Sequence, residues 1–335
     1  MSRIVKIGLV IFCVLAISGW GMWRYISVSY NGEPAWVYIP AGSDHEQVSD
    51  SLKSALGEKF GLKTALLWRL MKGEAEIAHG AYKVTSGDRA MTLARRLKNG
   101  AQTPVKVTFN NVRTIGQLAG KVTARLEMMP DEFIAAADSL TKANGFKHDE
   151  MSAAFLPDTY EFYWTASPVT VVGRLLDYRN RFWSDERRAK ARKLGLTPVQ
   201  VAIVASIAEE ETNSAAERPV VARLYMNRIH RGMPLQADPT VKWAVGDFSL
   251  RRITRAHLAV ESPYNTYKHA GLPPGPIRIP AAATLDAVLD APEHDYLYMC
   301  ASDDFSGRHK FTATFAEHQK NAMRYRAALN RRNIH

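Results

Sequence analysis

Hydrophobic residues fall along this chain in three textures. From Ile7 to Trp23 they run without a charge for about 17 residues, at the short end of what spans a bilayer. From Trp36 to Thr103 short apolar runs alternate with amphipathic stretches, the pattern of small strands and half-buried helices. From Val199 to Ile207 apolar side chains (Val199, Val201, Ile203, Val204, Ile207) cover nearly every side of a predicted helix, which marks a helix buried in a domain core.

The middle texture contains a weak internal echo. Gly42, Val48 and Leu52 recur as Gly87, Leu93 and Leu97, each glycine following a strand-like run that holds a tyrosine, Tyr38 or Tyr82. The repeated unit is strand, turn, helix, with Lys72-Gly73 and Asn99-Gly100 as helix stops. A further strand from Val105 and helices around Ile115, Phe133 and Val171 lead to the buried helix.

Thr197-Pro198 opens that helix with a capping hydroxyl and a proline whose missing N–H costs nothing in the first turn. It closes on Glu209-Glu210-Glu211. Residues three, four and seven back share a helical face. Behind Glu211 these are Ala208, Ile207 and Val204, so Glu211 extends the most apolar stripe. A carboxyl there loses solvation of its charged form, its pKa rises, and it can hold a proton near neutral pH as a general acid does. A solvated acidic helix end is the competing reading. Loops follow with amide, hydroxyl and aromatic side chains between prolines: Gln236-Ala237-Asp238-Pro239-Thr240, then Tyr264-Asn265-Thr266-Tyr267, then Gly271-Leu272-Pro273-Pro274-Gly275. Such side chains suit a carbohydrate groove, although each segment alone is also ordinary turn chemistry.

Composition narrows the picture. With 335 residues and 46% hydrophobic content the chain can bury an ample core. The net charge is +11, of which Arg3, Lys6 and Arg24 supply three, leaving +8 dispersed over the rest. Dispersed charge fits a surface attracted to anionic polymer or lipid better than a nucleic-acid site, and no nucleic-acid partner is expected. Cys13 and Cys300 offer no intramolecular disulfide framework outside the apolar segment, and no zinc-ligand spacing occurs. Trp20 and Trp23 sit at the end of the N-terminal run and no A-x-A site follows, which favours an uncleaved anchor over a signal peptide.

In order, Ala-Ser-Ile-x-Glu-x-Glu-Thr, Glu217-Arg218, Asn227-Arg228, Met-x-Leu-Gln-x-Asp-Pro-Thr, Tyr-Asn-Thr-Tyr and Gly-Leu-Pro-Pro-Gly-x-Ile resemble the motifs of the endolytic murein transglycosylases, the MltG or YceG-like family. Phe155-Leu156-Pro157-Asp158-Thr159-Tyr160, Tyr296-Leu297-Tyr298 and His309-Lys310-Phe311 extend the resemblance more weakly. It implies an α+β protein: a cytoplasmic tail (1–6), a single transmembrane helix (7–24), a LysM-like module with its linker (25–104) and a catalytic domain (105–335) facing the periplasm or outer surface. It also implies cleavage of the MurNAc–GlcNAc β-1,4 bond of peptidoglycan without water, leaving 1,6-anhydro-MurNAc ends, with no cofactor or metal. Cell-wall synthases and the elongation or division machinery are the implied partners.

Carried over by position, the acid-then-base is Glu211, with Glu209 as second choice. Glu217, Asn227, Gln236, Asp238, Thr240, Tyr264, Asn265, Thr266 and Tyr267 are the expected substrate contacts. Position 210 is Glu210 where relatives often have lysine, which adds a charge expected to push Glu211 further up. Two other readings stay open: a non-catalytic wall-binding scaffold, and a muramidase that adds water with Asp238 as its second carboxylate.

Overall fold

A computed structural model describes residues 28–250 and 252–332. The chain divides into two units, each with its own core. The expected fold needs one correction. Among the described residues no helix is long and apolar enough to cross a membrane, so the protein is a mixed helix and sheet fold without a spanning element among them. The most apolar long helix among the described residues has 14 residues, short of the roughly 20 a span requires, and is enclosed by protein. The expected anchor over 7–24 lies outside the described residues.

The first unit comprises the described part of Met1–Val107 with Arg125–Met128 and Tyr160–Ala166. Its order is β1 (Ala35–Ile39), α1 (His45–Leu56), α2 (Glu58–Leu70), α3 (Ala75–Ala78), β2 (Gly80–Val84) and α4 (Ala90–Lys98). The strand, turn, helix echo is real in three dimensions. Gly42 and Gly87 turn with positive φ of 73° and 92° after β1 and β2, a region open to glycine at little cost. Asp44 and Gln47 cap α1 reciprocally. β1 and β2 pair antiparallel with Val37 opposite Tyr82. Tyr38 therefore lies on the other face from Tyr82, because successive side chains alternate. Tyr82 is fully buried with Val37, Ile39, Leu52, Trp68, Leu93 and Leu97, and Tyr38 is exposed. The one-residue offset between the two tyrosines is the pleat of the sheet.

Strands β3 (Val105–Phe109) and β4 (Asp158–Phe162) form a second two-stranded sheet. The second unit comprises Thr108–Ala124, Met129–Thr159 and Ser167–His335. In it α5 (Ile115–Thr123), α6 (Pro130–Ala143), a 3-10 turn (His148–Ala154), α7 (Pro168–Phe182) and α8 (Asp185–Lys193) precede α9 (Pro198–Glu211). Then come α10 (Arg218–His230), α11 (Asp238–Val245), α12 (Arg255–Leu258), α13 (Ala282–Leu289), the antiparallel hairpin β5 (Tyr298–Ala301) with β6 (His309–Thr312), and α14 (Phe315–Arg331).

Helix α9 is the axis of this unit. Thr197 Oγ1 accepts from Gln200 N–H at 3.2 Å and the Gln200 side chain accepts from Thr197 N–H at 2.8 Å, closing its first turn. Every residue from Val201 to Ala208 is buried. They pack against α10 through Val221, Leu224 and Tyr225 and against α13 through Leu285 and Val288. With no polar face to spare, the helix is fixed along its length, and the only charged side chains it carries stand in its last turn.

Candidate active site

The three glutamates that end α9 have different surroundings. Glu209 accepts from the main-chain N–H of Ala281 at 3.0 Å and pairs with Arg278 at 3.1 Å. Glu210 takes both Nε and Nη2 of Arg113, at 3.0 and 2.9 Å, and Nη1 of Arg278 at 2.9 Å. Arg278 in turn donates to Asn111 Oδ1 at 3.0 Å. Two carboxylates and two guanidiniums thus form a largely buried network, the arrangement that keeps charge tolerable away from water.

Glu211 has no arginine. Its Oε1 accepts from the phenol of Tyr225 on α10 at 2.7 Å. Burial pushes its pKa up to about 7, the Tyr225 hydrogen bond works against that rise, the Asp238 charge adds to it, and Lys242 lowers it. The Glu210 charge also raises it, least of these. Desolvation, and not the neighbouring glutamate, therefore sets the acidity of Glu211. Tyr225 is pushed far above the usual phenol range by burial and by the Glu211 charge, so it stays a donor.

Glu211 borders a cleft of about 330 Å³ together with Tyr225, Arg228, Gln236, Asp238, Tyr267, Tyr298 and His309. Arg228 donates to the Pro234 carbonyl at 2.9 Å, the Leu297 carbonyl at 3.2 Å and Gln236 Oε1 at 2.7 Å, pinning the loop before α11 to the strand region. Gln236 has a positive φ of 52°, which turns the chain sharply at the cleft. Tyr267 donates to Asp238 Oδ1 at 2.6 Å. Ser206, one of the buried residues of α9, accepts from Ile277 N–H at 3.1 Å and so fastens the proline-rich loop to the helix. In that loop Gly275 lies against the Asp149 carbonyl, where a Cβ would come within 1.7 Å, so no other residue fits.

Of the residues expected from the sequence to contact substrate, Gln236, Asp238 and Tyr267 border the Glu211 cleft. Thr240 and Thr266 are buried, bonded to each other at 2.8 Å, and Thr266 accepts from Ala237 N–H at 3.0 Å. Asn265 is fully buried and donates to the carbonyls of Leu258 and Val260 at 3.0 and 2.8 Å. These three brace the loops behind the cleft. Asn227 donates to the carbonyls of His294 and Tyr296 at 2.6 and 3.1 Å. Tyr264 borders a different cavity of about 400 Å³, with Trp243, Ile115, Ile134 and Met151, and bonds Asp149 at 3.4 Å. Glu217 accepts from Thr212 and His309.

The sequence reading missed Tyr225, Arg228, Tyr298 and His309 as cleft residues. For the first two a signal existed, since Tyr225 and Arg228 are three apart on one helix and so share a face. Tyr298 and His309 reach the cleft through pairing of β5 with β6, which no local pattern announces.

A model of the YceG-like family matches residues 37–324. The chain is similar to a Bacillus subtilis (strain 168) protein named endolytic murein transglycosylase, 26% identical over 312 residues that cover 88% of this chain and 85% of the relative. It is also similar to a Streptococcus pneumoniae serotype 2 protein of the same name, 25% identical over 321 residues, which are 86% of this chain and 58% of that longer relative. Among solved structures, the crystal structure of a putative yceG-like protein from Listeria monocytogenes aligns with a TM-score of 0.57 and 25% identity, covering 86% of this chain and 98% of that one.

Proposed function

The chain belongs to the YceG-like family, and on that footing we propose that it is a lytic transglycosylase that cuts the MurNAc–GlcNAc β-1,4 bond of peptidoglycan without adding water. The observation that carries this reading is Glu211, a desolvated carboxyl poised near pH 7 in a polar cleft and hydrogen-bonded by a phenol that stays protonated. One group that is protonated and ionised in comparable amounts serves as acid and then as base. Protonated Glu211 donates to the glycosidic oxygen as the bond to C1 breaks. The carboxylate left behind takes the proton of the muramic C6 hydroxyl as that oxygen bonds to C1. The ring closes to the 1,6-anhydro sugar, the acid is restored, and no water is consumed.

The relatives' name supports endolytic cutting as part of the reading. Peptidoglycan lies outside the cytoplasm, so the catalytic unit works on the extracytoplasmic side. The first unit's two paired strands flanking helices, β1, α1, α2, the short α3, then β2, support the LysM-like reading, in which that unit contacts glycan as well.

Mass spectrometry of purified glycan strands after digestion tests the proposal. Anhydro ends are one water lighter than hydrolysed reducing ends. New reducing ends would mean a muramidase, with Asp238 of the same cleft as its second carboxylate. Intact strands that bind without being cut would mean a scaffold.

A further inference from the structure

A hydrogen-bonded relay at the cleft takes no part in the proton transfers of Glu211. It begins at Thr212, the residue just after α9, whose hydroxyl donates to Glu217 Oε2 at 2.9 Å. Glu217 Oε1 accepts the main-chain N–H of His309 at 2.8 Å, and its Oε2 lies 3.0 Å from His309 Nδ1. Burial alone would raise the pKa of this carboxyl, and the hydrogen bonds from His309 and Thr212 hold it below its ordinary value. Glu217 is therefore ionised near neutral pH, and a carboxylate only accepts. The proton of a neutral His309 ring must then sit on Nδ1, which leaves a lone pair on Nε2. Among the described residues Nε2 has no hydrogen-bond partner, and His309 borders the same cleft as Glu211.

Arg228 is a donor only, while the phenol oxygens of Tyr225 and Tyr267, whose hydrogens go to Glu211 and Asp238, can accept on their side of the cleft, and His309 Nε2 adds an acceptor at β6. A glycan brings hydroxyl and acetamide N–H donors to such a wall.

We propose that His309 contacts the substrate, its Nε2 accepting a hydrogen bond from a hydroxyl or amide N–H of the bound glycan, with Glu217 as the positioning residue that fixes the ring and its tautomer. This rests on the glycan reading of the Glu211 cleft. The arrangement follows the general logic by which a buried carboxylate orients an imidazole for work at its other nitrogen.

The test uses the full chain carrying Glu211→Gln, so that strands bind without being cut, and purified uncrosslinked glycan strands as the probe. Adding His309→Ala is expected to weaken binding roughly tenfold, the worth of one hydrogen bond. Adding His309→Gln, whose amide reaches near the Nε2 position, is expected to recover part of that loss. Nitrogen-15 NMR of the wild-type ring is expected to show Nδ1 protonated and Nε2 bare. Glu217→Gln, whose amide can donate to Nδ1, is expected to move the proton to Nε2 and weaken binding as His309→Ala does, a signature that loss of a purely structural bond does not produce. Unchanged binding on His309→Ala, or a wild-type ring protonated on Nε2, overturns the inference alone. A Glu211→Gln chain that binds no glycan overturns the reading of the cleft and the inference with it.

Discussion

The two sides of the last turn of α9 carry the same residue type in opposite circumstances. On one side Glu209 and Glu210 are matched by Arg113 and Arg278 and a main-chain N–H. On the other, Glu211 meets one phenol and an apolar helix stripe. Matching makes a carboxylate comfortable when charged; desolvation without a matching cation makes it willing to hold a proton. Adjacent positions on one helix thus separate ion-paired glutamates from the desolvated one proposed to carry the proton. The side with the arginines also anchors the helix end, which keeps Glu211 at one place in the cleft.

The largest expected effect comes from breaking this division at the acid. Glu211→Gln keeps the shape but cannot carry the proton, and should lower cleavage of purified peptidoglycan by more than roughly a hundredfold with the fold unchanged. Glu209→Gln should leave most of the cleavage. The reverse result would move the chemistry to the side with the arginines.

Next comes the network itself. Arg278→Met leaves Glu209 without its cation and Glu210 with one of its two, both largely buried. The expected cost is about 3 kcal/mol, read as a lower urea midpoint.

A smaller effect of opposite sign sharpens the contrast. The pKa of Glu211 in the folded chain, about 7, is raised from an ordinary 4.5. Its contribution to stability is therefore fully present below pH 4.5 and is lost as pH rises through about 7. Glu211→Gln should match the wild type in acid and exceed it above pH 7 by about 2 kcal/mol, allowing for solvent in the cleft. Urea melts at the two pH values measure it, and a variant less stable than wild type at high pH contradicts it.

The smallest expected effect is that of Tyr225→Phe. The lost hydrogen bond favoured the ionised form of Glu211, so the alkaline fall in cleavage should move to higher pH. A shift to lower pH would remove the phenol from the account.

Much of the acid's setting could be read in the sequence, because it is local. The cap at Thr197, the all-round apolar helix and the stripe behind Glu211 follow from residues within a few positions of one another. The strand, glycine, helix echo of the first unit was readable for the same reason. What was hidden is long-range. Arg113 lies 97 residues from Glu210 and Arg278 lies 68 from it, and neither has a spacing that names its partner. The Tyr-Asn-Thr-Tyr segment shows another limit: its residue types suit a sugar groove or a braced loop equally well. The backbone sends Tyr267 to the cleft, Asn265 and Thr266 into the protein, and Tyr264 to a second cavity.

On the proposed mechanism, desolvation singles out Glu211 as the proton carrier. A carbon-13 NMR titration of its side-chain carboxyl tests this most directly, independent of any substrate. The expected midpoint is about 7. A midpoint at the ordinary value of 4.5 would contradict it.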